Sequence, residues 1–440
     1  MDRFIGLLGI AVIFGIAYLV SNNKKRINWR LVGMGMAIQI VFGILIIKGR
    51  ELGEFFAPLG WFFQLFQLLG EGIVKLLGFT TEGAKFVFGN LAISPGPGVT
   101  GSLGFFFVFQ VLPTIIFFSS LMSVLYYLGV MQKIVQGMAW VMAKLMGTSG
   151  AESLSNTANI FVGQTEAPLM IRPFIKTMTQ SELLTIMVGG MATIAGGVMA
   201  AYIQMLGESF AAAHNLPLLE AQIKFATQLM GASIMAAPAG LAISKIMYPE
   251  VEEPVTRGTV KLNVEKNASN VIEAAAGGAS DGVQLALNVA GMLLAFIALI
   301  ALFNAIISYG GELVGINDLS LQTIFGYLLA PLAFIVGVPW NEAFAVGSLL
   351  GTKVTLNEFV AYLQLADYIK DQTLTSDKSI MISTFALCGF ANFSSIAIQI
   401  GGISPLAPER RKDIAALGMR AVLGGMLATL LTGTVAGIIL

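Results

Sequence analysis

The chain reads as an all-α integral membrane protein: about eight transmembrane helices, two re-entrant helical hairpins in an inverted repeat, and interfacial helices beside them. Three observations predict it. Hydrophobic residues fill 56% of the 440 positions and charged ones 11%, against roughly 25% charged in a soluble domain, so most side chains cannot face water. Apolar runs long enough to cross a bilayer core, about 20 residues for about 30 Å, recur along the whole length. Two further stretches, 154–176 and 323–354, have apolar flanks too short to cross separately and a polar, proline-bearing break between them.

In chain order, crossings are expected at 4–20, 31–47, 105–130, 183–206, 226–247, 283–307, 380–400 and 414–440. The first has Arg3 ahead of it and no small-residue cleavage pattern behind it, so it reads as a retained helix. Residues 51–77 carry Phe55, Phe56, Trp61, Phe62, Phe63 and Phe66, and aromatic rings at that density fit an interfacial or tilted outer helix. Two prolines and four glycines make 94–104 a loop. Over 131–146, Ile134, Val135, Met138, Met142 and Leu145 share one helical face and Lys133 and Lys144 the other, as in a helix lying on the cytoplasmic surface. The most polar run, 249–270, holds Glu250, Glu252, Glu253, Arg257, Lys261, Glu265 and Lys266 and reads as a solvated cytoplasmic linker. The basic loops 24–30, 245–266 and 410–412 fall on one side if both termini lie outside the cytoplasm of an inner membrane.

The two broken stretches hold the chemistry. The first reads Asn159-Ile-Phe-Val-Gly163-Gln164-Thr165-Glu166-Ala167-Pro168-Leu169 and the second Gly337-Val-Pro339-Trp340-Asn341-Glu342-Ala343-Phe344. Backbone freed by such breaks is tolerated at membrane depth only where it is buried in protein or faces a water-filled cavity, and it can meet an ion or a solute there. A carboxylate in hydrocarbon costs at least about 2.5 kcal/mol, so Glu166 and Glu342 are expected to have partners. Tips entering from opposite faces would converge. Each hairpin is followed by a helix with unusual mid-depth content: Gly189-Gly190-Met-Ala-Thr193-Ile194-Ala-Gly196-Gly197-Val198, and Cys388-Gly389-Phe390-Ala391-Asn392-Phe393-Ser394-Ser395. Asn392 and Ser395 share a helical face near the ring of Phe390, a combination suited to a ligand with hydroxyls and a flat ring.

Composition excludes several classes. A formal net charge of zero offers no basic surface for nucleic acid. One cysteine, Cys388, precludes an intrachain disulfide, and one histidine, His214, leaves too few ligands for a zinc or haem site. No His-Glu-x-x-His pattern supports an intramembrane hydrolase, so no catalytic residue is assigned. A passive channel remains an alternative from sequence alone.

These residues resemble the concentrative nucleoside transporters over nearly the whole chain. The strongest elements are 159–169, the Val338-Pro-Trp-Asn-Glu-Ala343 run, Asn357-Glu358-Phe359-Val360-Ala361 and 389–395. The resemblance implies a homotrimer in the lipid bilayer, with a scaffold and a mobile transport part in each protomer. On this chain that divides into 1–146, mainly scaffold and interfacial helices; 147–247, the first hairpin and following helices; 248–270, the linker; 271–310, a scaffold helix; and 311–440, the second hairpin and final helices. It implies that Gln164, Thr165 and Glu166 meet a nucleobase beside Val198, and that Glu342, Asn392 and Ser395 hold the ribose hydroxyls with Phe390 lining the pocket. It implies sodium as the coupling ion, held by the Asn159 and Thr193 side chains and the Val162 and Ile194 carbonyls, an all-oxygen set suited to a hard cation. Thr193 departs from the pattern of the family this chain resembles, which implies serine there, although both offer a hydroxyl. The function implied is sodium-coupled nucleoside import by alternating access, with proton coupling as the alternative.

Overall fold

The computed structural model describes residues 2–94, 100–258, 268–313, 315–316 and 319–440. Parts of the expected loop at 94–104 and of the polar linker, including Lys261, Glu265 and Lys266, lie outside the described residues. Within them every regular element is a helix, and seven helices are long and apolar enough to cross a membrane, or eight counting one bent pair.

The chain begins with α1 (Asp2–Leu19) and α2 (Trp29–Ile47), the latter started by Asn28, whose side chain accepts from the Leu31 N–H at 3.2 Å. A short α3 (Gly49–Phe55) precedes α4 (Ala57–Phe88). Residues 51–77, expected as an interfacial or tilted outer helix, fall in α3 and α4, and Gly60–Ala92 is long and apolar enough to cross a membrane while only 22% buried, as an outer helix would be. Trp61, Phe79 and Phe86 of α4 point outward while Phe66 is buried, and an outward ring serves a lipid-facing wall as well as a membrane interface. Then come α5 (Phe107–Gln110), α6 (Leu112–Tyr127) and α7 (Val130–Met146). The buried face of α7 is Met131, Val135, Ala139, Met142 and Met146. Ile134 and Leu145, expected on the same face as Val135, are exposed instead.

Two successive halves then repeat one order of elements. In the first, α8 (Gly150–Ala158) and α9 (Arg172–Ile175) form the arms of a hairpin, α10 (Gln180–Ala192) and α11 (Gly196–His214) are one broken helix, and α12 (Leu218–Met247) returns. After α13 (Val271–Leu313) and α14 (Leu321–Ile335), the second half runs α15 (Trp340–Thr355), α16 (Glu358–Lys370), the broken pair α17 (Asp377–Leu387) and α18 (Phe393–Ile403), and α19 (Arg411–Ile439). The crossing expected over 380–400 is therefore two helices. The second hairpin also differs from expectation. α14 and α15 diverge by 117° across the Gly337–Pro339 break, and α15 turns again into α16, so this later turn is the counterpart of the first hairpin's tip.

Burial sorts the elements into layers. Windows in Gln180–His214, Leu218–Met247 and Pro408–Ile439 are 83%, 89% and 78% buried, against 22% in Gly60–Ala92 and in α13. The 43 residues of α13 extend about 64 Å at 1.5 Å per residue, twice a bilayer core. They touch the rest of the protein along one stripe, including Gly278, Gly282, Ala286, Val289 and Leu293. Small residues let α13 meet α6 closely: a Cβ at Gly282 would stand 2.7 Å from Ile116 Cα.

Candidate functional site

A cavity of about 170 Å³ lies where the first hairpin's tip, α11, α13, the start of α16 and the α17–α18 break converge. Each half contributes through a break. In the first half α8 ends at Asn159, and the chain crosses to the next turn through Gly163, whose N–H donates to Glu166 Oε2 at 2.8 Å. Gln164 is fixed from the other half: its Nε2 donates to Ser395 Oγ at 3.0 Å, and its Oε1 accepts from Gln399 Nε2 at 3.1 Å. Thr165 and the exposed Glu166 line the cavity beside Val198 of α11.

In the second half the break over 388–392 exists because Asn392 is extended (φ −143°) and caps α18, accepting from the Ser395 N–H at 2.9 Å. Its Nδ2 donates to Glu358 Oε2 at 3.0 Å, while Tyr202 OH donates to Oε1 at 3.3 Å. Tyr202 is held by stacking on Tyr362 with centroids 4.2 Å apart. Glu358 stands at the start of α16 because Asn357 caps that helix, accepting from the Val360 N–H at 2.9 Å. Phe390, Asn392 and Ser395 complete this wall.

The acidic partner of Asn392 is thus Glu358, which corrects the expectation that Glu342 pairs with Asn392 and Ser395. Glu342 is outside the cavity lining. Its Oε1 accepts from the Thr375 N–H at 2.9 Å and the Ser376 N–H at 3.1 Å, capping the start of α17. The repeat explains the difference. Glu342 is the third residue past the N-cap Pro339 of α15, as Glu152 is past the N-cap Ser149 of α8. Both belong to hairpin bases, whereas Glu166 and Glu358 belong to hairpin tips. Asn-Glu occurs at 341–342 and again at 357–358, and only the second follows a turn into the cavity.

Behind the first tip, the Gly196 N–H donates to the Phe161 carbonyl at 3.0 Å, which brings the segment of Asn159 and Val162 against the α10–α11 break holding Thr193 and Ile194. Asn159 is 1% exposed, and neither its Oδ1 nor its Nδ2 has a partner. A buried amide is rarely left so. The Thr193 hydroxyl donates to the Gly189 carbonyl at 3.0 Å, leaving oxygen lone pairs free. Neutral oxygen donors with no proton committed toward one another fit a hard monovalent cation. His214 ends α11 and stacks on Phe210, and Cys388 is buried at the second break.

A larger cavity of about 500 Å³ adjoins the first through Glu166, Ala195 and Leu285 and is walled by α6, the first hairpin and α13. A helical protein that buries a small, largely apolar chamber with a few convergent polar groups between two hairpin tips and two broken helices, with a wider antechamber on one side, has the build of a carrier for a small solute.

Known proteins agree with this. Family models described as the Na+ dependent nucleoside transporter N-terminus, nucleoside recognition, and the Na+ dependent nucleoside transporter C-terminus match residues 8–91, 108–209 and 228–437. A nucleoside permease NupC of Helicobacter pylori is 42% identical over 98% of this chain and 96% of its own. Rat sodium/nucleoside cotransporter 1 is 42% identical over 100% of this chain and 64% of its own. The structure of CNTnw in an inward-facing substrate-bound state superposes with a TM-score of 0.86 at 43% identity, covering 100% of this chain and 98% of that one. The chain belongs to the concentrative nucleoside transporter family. It is a multi-pass membrane protein and a nucleoside transporter.

Proposed function

We propose that this protein imports nucleosides such as uridine by sodium symport, moving its cavity-bearing helices between outward- and inward-facing positions. The observation that carries the sodium reading is Asn159, a buried amide with both polar atoms unpartnered beside Thr193. Sodium there, with the Val162 and Ile194 carbonyls, would order the first hairpin and so raise nucleoside affinity. Gln164, Thr165 and Glu166 meet the base beside Val198. Glu358, Asn392 and Ser395 hold the ribose hydroxyls, with Phe390 against the ring, because a carboxylate accepts from two hydroxyls at once.

The mobile part comprises 147–247 and 311–440, and the scaffold 1–146 and 271–310. The large antechamber borders Tyr127 and Ala268, next to the linker read as cytoplasmic, which supports an inward-facing arrangement with both termini outside. The outward apolar walls of α4 and α13 support a homotrimer in the inner membrane. Uridine uptake into proteoliposomes tests the function: an inward sodium gradient should drive accumulation above the external concentration. Accumulation with an inward proton gradient and none with sodium would transfer the reading to proton symport.

A further inference from the structure

Among the described residues two lysines are almost wholly buried, Lys245 and Lys353. Lys245 is ion-paired at the first hairpin's base, with Glu152 at 2.8 Å and Glu250 at 3.3 Å. Lys353 is not. Its ammonium donates to the Ala386 carbonyl at 2.7 Å and to Thr429 Oγ1 at 2.9 Å, and among the described residues no carboxylate oxygen lies within 4.0 Å of it. Ala386 sits at the C-terminal end of α17, where helix carbonyls lack intrahelical partners and the dipole favours a cation.

The hairpins show what this ammonium replaces. Lys353 lies three residues before the C-cap Leu356 of α15, and Asn156 lies three before the C-cap Asn159 of α8. In the first half that region is neutral, and Asn156 Oδ1 and both polar atoms of Asn159 lack partners. In the second half it carries a fixed positive charge. Glu358 is the complementary case: a buried carboxylate whose partners, Tyr202 and Asn392, are neutral. The two charges flank the turn from α15 into α16, five residues apart and both buried, and buried charges left uncompensated are strongly disfavoured.

We propose that Lys353 is the resident cation of the second broken helix, pinning the end of α17 and balancing Glu358 through space, and is thereby the positioning residue for the cavity's acidic wall. The charge pairing does not need Glu358 to touch a sugar, although its effect on binding rests on that reading. The test is a double-mutant cycle on the purified full chain, using Lys353→Met, Glu358→Gln and both together, read by thermal unfolding without nucleoside and by uridine binding. Lys353→Met alone should lower the midpoint clearly and weaken uridine binding at least tenfold. In the Glu358→Gln background the same substitution should lower the midpoint by less than half as much. If Lys353→Met yields no folded protein, recovery of folded yield in the double variant supports the pairing. Equal losses in both backgrounds, failure of the double variant to fold, or an unaffected Lys353→Met would overturn it. Unchanged uridine affinity in Glu358→Gln, with the thermal cycle intact, would sink only the sugar assignment.

Discussion

At the scale of single residues, the two acidic groups that follow an asparagine part company. Glu358 sits 5% exposed at the cavity with two neutral donors, while Glu342 spends its Oε1 on the backbone of α17. Glu358→Gln should therefore weaken uridine binding by roughly 10- to 100-fold, the equivalent of about 1–3 kcal/mol for a hydrogen bond lost from a buried charged acceptor. Glu342→Gln should lower the thermal midpoint and leave uridine affinity within about threefold, the cap being worth about 1 kcal/mol; calorimetric titration of both variants separates the roles. Gln164 to Glu166 were legible in the sequence because their Gly and Pro flanks announce a break where the polar groups stand. The same cue misleads at 337–342. There Gly337 (φ +108°) and Pro339 mark the base of a hairpin, whereas the tip at 356–357 carries no glycine or proline, only the helix cap Asn357.

Helical breaks follow a similar logic. The α10–α11 break lies within a run of glycines, but the α17–α18 break lies inside a stretch apolar enough to read as one crossing, and what opens it is the extended Asn392. The breaks touch each other. A Cβ at Gly389 would stand 2.7 Å from the Met191 carbonyl and 2.8 Å from Thr429 Cγ2, closer than atoms sit without moving the backbone. Gly389→Val should abolish uptake and lower the thermal midpoint, because the clash forces the two breaks apart. Uptake near that of the parent would mean that the breaks move independently. Along the outer wall, Gly282→Leu should separate α13 from α6 and lower uptake more than uridine affinity. Titration and uptake on the same preparation test this. Helix α4 was legible as an outer helix because aromatic density marks a face turned to lipid or to the membrane interface.

For the molecule as a whole, an inner layer of nearly buried helices carries both halves of the site, and an outer layer of α4 and α13 faces outward. The order hairpin, broken helix, long helix occurs twice, so each half offers a tip and a break to a common centre. In the first half these enclose the unpartnered Asn159 on one side and present Gln164 and Glu166 to the cavity on the other. In the proposed function cation and nucleoside share one tip, and whatever ordering one ligand provides, the other need not. Uridine titrated into the purified protein in sodium and in choline, for the parent chain and for Asn159→Leu, tests this most directly. The account predicts uridine affinity at least tenfold higher in sodium, about 1.4 kcal/mol of coupling, with that difference lost in Asn159→Leu. Equal affinity in sodium and choline for the parent chain would contradict it.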